Sequence, residues 1–391
     1  MPPAASPVDA SSCPVTPVCP VKPETPPEAP PAPAYVAAEW EALPQWRSDR
    51  IEEAWPGLIA SCKAMRAPTI KAAWQEVCDA ARALGDKPGA EAMRSFVESR
   101  LRPLELNNAD GTKEGLITGY YEPLILGSRW KSAKNAVPVH AVPDDLLQLD
   151  LGEVYPETKT LRLRGRIEGR KVLPYWSRAQ IEAKGDAFPA KVLLWAQDPI
   201  DFFFLQVQGS GQVQLSDGSR VRIAYADQNG HPYKSIGRWL IDQGELTLPQ
   251  ASAQGIQKWA RENPQRLSEL LNVNPSYVFF REEASNGEGP KGSLGVPLTA
   301  ARAIAVDPRS IPLGVPVFIS FTMPDGKPMQ RLVMAQDTGG AIRGRVRADF
   351  FWGFGAEAGK LAGQMRQQGR IWVLWPKDAP LPVVDGVKPA A

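Results

Sequence analysis

The chain has 391 residues, among them 39 Pro, 33 Gly, 12 Trp, 4 Cys and 2 His, and at this length two or more domains are expected. Lys plus Arg number 45 against 43 Asp plus Glu, a balance that predicts no nucleic-acid partner. Two histidines, His140 and His231, exclude a His-rich metal site; no metal and no cofactor are expected, and acid–base chemistry would have to run on a carboxylate.

Residues 1–34 carry 12 of the prolines. Such a stretch cannot bury enough apolar surface to offset its ordering entropy, so residues 1–38 read as a disordered, polyproline-like tether. No apolar run reaches about 18 residues, and no charged start leads into an apolar core, so neither a transmembrane helix nor a signal segment is visible. Cys13 would suit lipid attachment only behind an apolar segment, and none precedes it. Helical spacing then predicts helices at 48–66, 70–84 and 90–101. Cys62 and Cys78 fall in the first two. A bridge between them implies an oxidising compartment; the alternative is a pair of buried thiols. The bridge is the expectation carried forward.

The run 115–123 reads as a strand ending at Pro123. Residues 124–190 mix short strands and loops, and strands follow at 192–196, 202–207, 213–215 and 220–225. The last two are joined by a hairpin turn at 216–219. Helices are predicted at 235–242, 249–262 and 264–271, and strands at 315–321, 331–336 and 371–375, with a helix at 356–366. The class is α+β, mainly β with helices. There is no repeat, no regular βαβ series and no nucleotide-binding glycine motif. A tail is expected at 378–391.

The segment richest in chemistry is 335–355. Asp337 ends a strand and is followed by Thr338, Gly339 and Gly340. Twelve residues on, Asp349 precedes Phe350, Phe351 and Trp352. A carboxyl desolvated by aromatics has a raised pKa, as a general acid needs; Arg343, Arg345 and Arg347 oppose this if they point at it. Asp307, before Pro308, is a third candidate. Asp337-Thr-Gly339 matches one half of an aspartic-protease dyad, but the chain has one copy where two are required.

Four blocks together resemble the membrane-bound lytic murein transglycosylase A family: Gly119–Pro123, Phe203–Gly211, Asn274–Phe280 and Asp337–Gly355. The last is similar to the family's three-Asp domain, whose acids fall on Asp307, Asp337 and Asp349. The resemblance covers about 40–375 and implies a double-psi β-barrel built from 39–124 and 284–377. A smaller inserted barrel would occupy 125–283, with glycan lying in the groove between them. It implies cleavage of the β-1,4 bond between N-acetylmuramic acid and N-acetylglucosamine by one Asp, here Asp349, with Asp337 and Asp307 in support. Asp349 lies about one residue further from Asp337 than the family pattern. Tyr120, Tyr121, Gln208, Gly209, Ser210 and Trp352 are the expected glycan contacts. The resemblance also implies a monomer acting on peptidoglycan strands at the periplasmic face of the outer membrane, with membrane contact only through a lipid anchor. A rival reading is a glycan-binding double-psi barrel that cuts nothing.

Overall fold

The computed structural model describes residues 31–158, 161–284 and 289–382. Most of the expected tether and tail lies outside these. Inside the tether range, Tyr35–Ala37 forms a strand paired with Leu104–Leu106.

Six strands form a closed ring: β1 (Gly115–Glu122), β2 (Ala303–Val306), β3 (Pro316–Thr322), β4 (Pro328–Asp337), β5 (Ala348–Phe354) and β6 (Arg366–Pro376). Around the barrel the order is β6, β3, β4, β2, β5, β1 and back to β6. The β4–β2 and β5–β1 pairs are parallel and the other four antiparallel. A closed ring leaves no free edge, and its residues are buried in continuous runs: all four of β2, and Ile371–Pro376 of β6. This is why the strands lack an alternating signature.

Helices α1 (Trp55–Ala64), α2 (Pro68–Leu84) and α3 (Ala90–Arg100) pack on the barrel. Pro68 opens α2, where its missing N–H costs nothing. Trp74 of α2 meets Trp375 of β6 edge to face at 6.1 Å. Cys62 and Cys78 are joined by a disulfide that ties α1 to α2 across a Cα–Cα distance of 5.5 Å. Buried Arg302 bonds Asp49 and Glu53, pinning the segment before α1 to the start of β2. Among the described residues no helix is long and apolar enough to cross a membrane.

Between β1 and β2 the chain builds a second, six-stranded sheet. Its order is Val278–Glu283, Arg220–Gln228, Ser210–Gln214, Leu124–Ser128, Val192–Ala196, Val137–His140. A small three-stranded sheet accompanies it. The expected strand at 202–207 is instead helix α4 (Pro199–Gln208). Asp198 caps it, accepting from the N–H of Ile200 at 2.9 Å, and Pro199 supplies the first helical position. One face (Phe202, Leu205) packs on the six-stranded sheet, and another (Ile200, Phe203) on the helices of 236–272. A helix buried on two sides presents the continuous apolar run of a buried strand. The two histidines sit in this part as packing groups: His140 contacts Tyr277, with burial lowering its pKa to about 4, and His231 contacts the carbonyl of Tyr175.

Candidate active site

Asp349 lies in β5, between β2 and β1. Its register partners are Ala305 on one side and Thr118 on the other. Ala305 is also paired with Asp337 on β4. The two acids therefore flank β2 at the same level, two strand spacings or roughly 10 Å apart at Cα. Side chains alternate along a strand, so Asp349 shares its side with Phe351, and Thr118 shares its side with Tyr120.

Asp349 is partly exposed. Thr118 donates to its Oδ1 at 2.7 Å. Phe351, fully buried, packs with Leu298 and Ala303, and the Tyr120 ring leans on Phe351 at 5.1 Å. Burial in these surroundings raises the Asp349 pKa from 3.8 to about 6; the Thr118 bond and the Arg347 charge pull it down, and Asp337 pushes it up. Of the three arginines in the preceding loop, only Arg347 faces the acid. Arg343 donates to the carbonyls of Gly339 and Ile342, and Arg345 to that of Ala32.

Asp337 ends β4. Its Oδ1 accepts from the N–H and hydroxyl of Ser293, at 2.8 and 2.9 Å, and from the N–H of Thr338 at 2.9 Å. Its Oδ2 accepts from the Tyr120 hydroxyl at 3.0 Å. Burial still raises its pKa against these donors, and burial beside the two carboxylates raises that of Tyr120 well above its ordinary value. The Ser293 loop can approach because residue 292 is glycine: a Cβ there would sit 2.5 Å from the carbonyl oxygen of Gln336.

Asp307 is not in this cluster. It is buried just past β2, where Arg309 makes two side-chain bonds to it and the N–H groups of Arg309 and Gly344 add more. Burial pushes its pKa up, but these bonds outweigh it and hold the carboxylate below the ordinary range. It clasps the 339–346 loop to the end of β2.

The expected contact residues separate into groups. Tyr120 is bound into the acid cluster. The backbone N–H of Tyr121 donates to Gln208 Oε1 at 3.2 Å, joining β1 to the end of α4. Gly209 adopts φ 83°, the left-handed cap that ends α4, and Ser210 begins the next strand. Trp352, expected beside Asp349, lies instead on the opposite side of β5. It packs on Phe350 at 4.8 Å and donates to Met365 Sδ at 3.2 Å. Alternation along the strand is the reason: position 352 follows 350, not 349.

Arg347, one of three arginines that could oppose the raised pKa, does so, whereas Thr118, Ser293 and a buried ion pair at the end of β1 were not legible in the sequence. There Arg222 donates to both oxygens of Glu122, at 2.8 and 3.2 Å. This pair and the Tyr121–Gln208 bond tie the barrel to the second sheet. Only the Asp349 aromatics had a local signal; the others need the barrel register. A cavity of about 290 Å³ beside the disulfide, lined by Lys63, Lys71, Trp74 and Arg82, shares no residue with the acid cluster. Among the described residues no three His, Cys, Asp or Glu side chains converge on a metal position.

The arrangement offers one partly exposed carboxyl that is half protonated near pH 6, with a second carboxyl held nearby by donors. Residues 116–281 match the model of the MltA specific insert domain, and 302–375 match the 3D domain. The chain is 33% identical over 284 residues to "Membrane-bound lytic murein transglycosylase A" of Escherichia coli K12, spanning 71% of this chain and 69% of that one. The structure is similar to MltA from Neisseria gonorrhoeae (36% identity, TM-score 0.77, covering 90% of this chain and 97% of that one). It is also similar to E. coli MltA with bound chitohexaose (27% identity, TM-score 0.67, covering 89% and 95%).

Proposed function

The chain belongs to the membrane-bound lytic murein transglycosylase A family and is a peptidoglycan lytic transglycosylase; from that premise we propose that Asp349 is its single acid–base catalyst. The observation that carries the proposal is a partly exposed carboxyl with a pKa near 6, bonded by one neutral hydroxyl. A glycoside hydrolase needs a second carboxylate, as base or nucleophile. A transglycosylase can manage with one, because the substrate supplies its own nucleophile. Protonated Asp349 gives its proton to the glycosidic oxygen as the C1–O bond of the muramoyl residue breaks and positive charge grows on the sugar ring. The resulting carboxylate then takes the proton of the muramoyl C6 hydroxyl as that oxygen bonds to C1. The proton is returned, no water is consumed, and the product is a 1,6-anhydromuramoyl end. Ring closure within one sugar has the advantage of proximity.

Asp337 serves this centre from outside the reaction. Its four donors suit it to hold the Ser293 loop and Tyr120, and its charge raises the proton affinity of Asp349. Glycan, such as the chitohexaose bound by the E. coli relative, would lie between the barrel part (39–124 and 284–377) and the insert (125–283). Tyr121, Gln208, Gly209 and Ser210 are the proposed contacts, at the join of the two parts. The test is digestion of purified sacculi followed by mass spectrometry. Muropeptides lighter by one water than hydrolysis products support the mechanism. Reducing ends would indicate hydrolysis, and binding without release would indicate a glycan-binding module. The periplasmic face of the outer membrane is the proposed location, in keeping with the membrane-bound relatives.

A further inference from the structure

We infer that Arg347 is the positioning residue for this acid: it orients the Thr118 hydroxyl so that Asp349 carries its transferable proton on Oδ2. The inference rests on the reading of Asp349 as the acid.

Arg347 Nη2 donates to Thr118 Oγ1 at 2.9 Å, and Thr118 Oγ1 lies 2.7 Å from Asp349 Oδ1. A guanidinium can only donate. The Thr118 oxygen is therefore an acceptor towards Arg347, and its own proton is free to point at Oδ1. A cation beside the hydroxyl polarises it into a stronger donor and disfavours a second donor arriving from the carboxyl. Oδ1 is thus kept as an acceptor in both protonation states, and the proton resides on Oδ2. The guanidinium itself is tied down. Its Nη1 donates to the carbonyl of Leu116 at 3.2 Å on β1 and to that of Ala348 at 2.5 Å on β5. It bridges the two strands that carry Thr118 and Asp349, so it fixes their relation to each other.

The charge matters as well as the geometry. The titratable groups facing Asp349 are Arg347 from the loop just before its strand, Asp337 from β4 and the Tyr120 hydroxyl from β1; Arg366 on β6 faces Arg347 in turn. Arg347 is the cation among them that stabilises the Asp349 carboxylate. That carboxylate must form when the first proton leaves and must persist until the C6 hydroxyl is deprotonated.

The experiment is the pH profile of kcat on purified sacculi for wild type, Arg347→Met, Arg347→Lys, Thr118→Val, the Arg347→Met/Thr118→Val double variant and Asp349→Asn. Loss of Arg347 should move the alkaline limb up by roughly one pH unit, because the acid holds its proton longer. It should lower kcat by about 10- to 100-fold with KM little changed. Thr118→Val should shift the limb in the same direction, the double variant should fall no further than the worse single one, and Arg347→Lys should recover part of the profile. An Arg347→Met enzyme with wild-type limb and kcat, beside an inactive Asp349→Asn, overturns the role of Arg347 and leaves the acid in place. Turnover by Asp349→Asn overturns the acid itself. If Arg347→Met loses its cooperative melting, Thr118→Val decides, and an unchanged limb there overturns the inference.

Discussion

Burying the Asp349 carboxylate should cost the fold stability at neutral pH, where the group is mostly ionised, and Asp349→Asn removes that cost. The folded protein holds the Asp349 proton up to about pH 6, whereas an unfolded chain releases it near 3.8. Between those values the folded state binds more protons than the unfolded one, so stability falls as pH rises through the window. The extra stability of the protonated form is fully present below pH 3.8 and gone above pH 6. A gap of about two pH units corresponds to about 3 kcal/mol at pH 7. Asn is neutral at every pH and can still accept from Thr118 through its amide oxygen, although that bond loses its charge assistance, a loss of about 1 kcal/mol. The expected outcome is an Asn variant about 1–3 kcal/mol more stable than wild type at pH 7 and equal to it near pH 4. Urea unfolding at both pH values measures this. A variant that is destabilised at pH 7, or whose advantage does not shrink on acidification, would refute the argument that burial rather than pairing sets this proton.

Two further outcomes test the frame around the site. Replacing Cys62 and Cys78 by Ser opens a link between residues 16 apart and should cost about 3 kcal/mol in thermal unfolding; two free thiols in denatured, unreduced wild type would show that the bridge does not form. Glu122→Gln leaves Arg222 buried without its partner charge and should cost about 3–5 kcal/mol. Adding Arg222→Met should recover part of that loss, and a purely additive double variant in urea unfolding would show that the two side chains act independently.

How much could be read in advance depended on whether the signal was local. Asp349 stood out because its aromatic neighbours are adjacent in sequence. Phe351 shares its side of β5, while Trp352, one position further, is turned away by strand alternation. Thr118 could not be found this way. It reaches Asp349 only because β1 and β5 are parallel neighbours, a pairing 231 positions apart in sequence. Ser293 becomes a partner of Asp337 only through a loop that depends on Gly292. Strands β2 and β5 went unread because burial on both sides erases alternation, and the same effect turned α4 into an expected strand. The disulfide was legible because α1 and α2 are consecutive and short. Asp307 matched a motif, but its place outside the acid cluster, paired with Arg309 and clasping the 339–346 loop, needed the structure.

If the sugar, not water, attacks C1 after Asp349 gives up its proton, digestion of sacculi in water enriched in heavy oxygen should give glycan ends that contain no heavy oxygen and weigh one water less than hydrolysis products, and Asp349→Asn should release none. Heavy oxygen at the muramoyl C1 would contradict the sugar's attack.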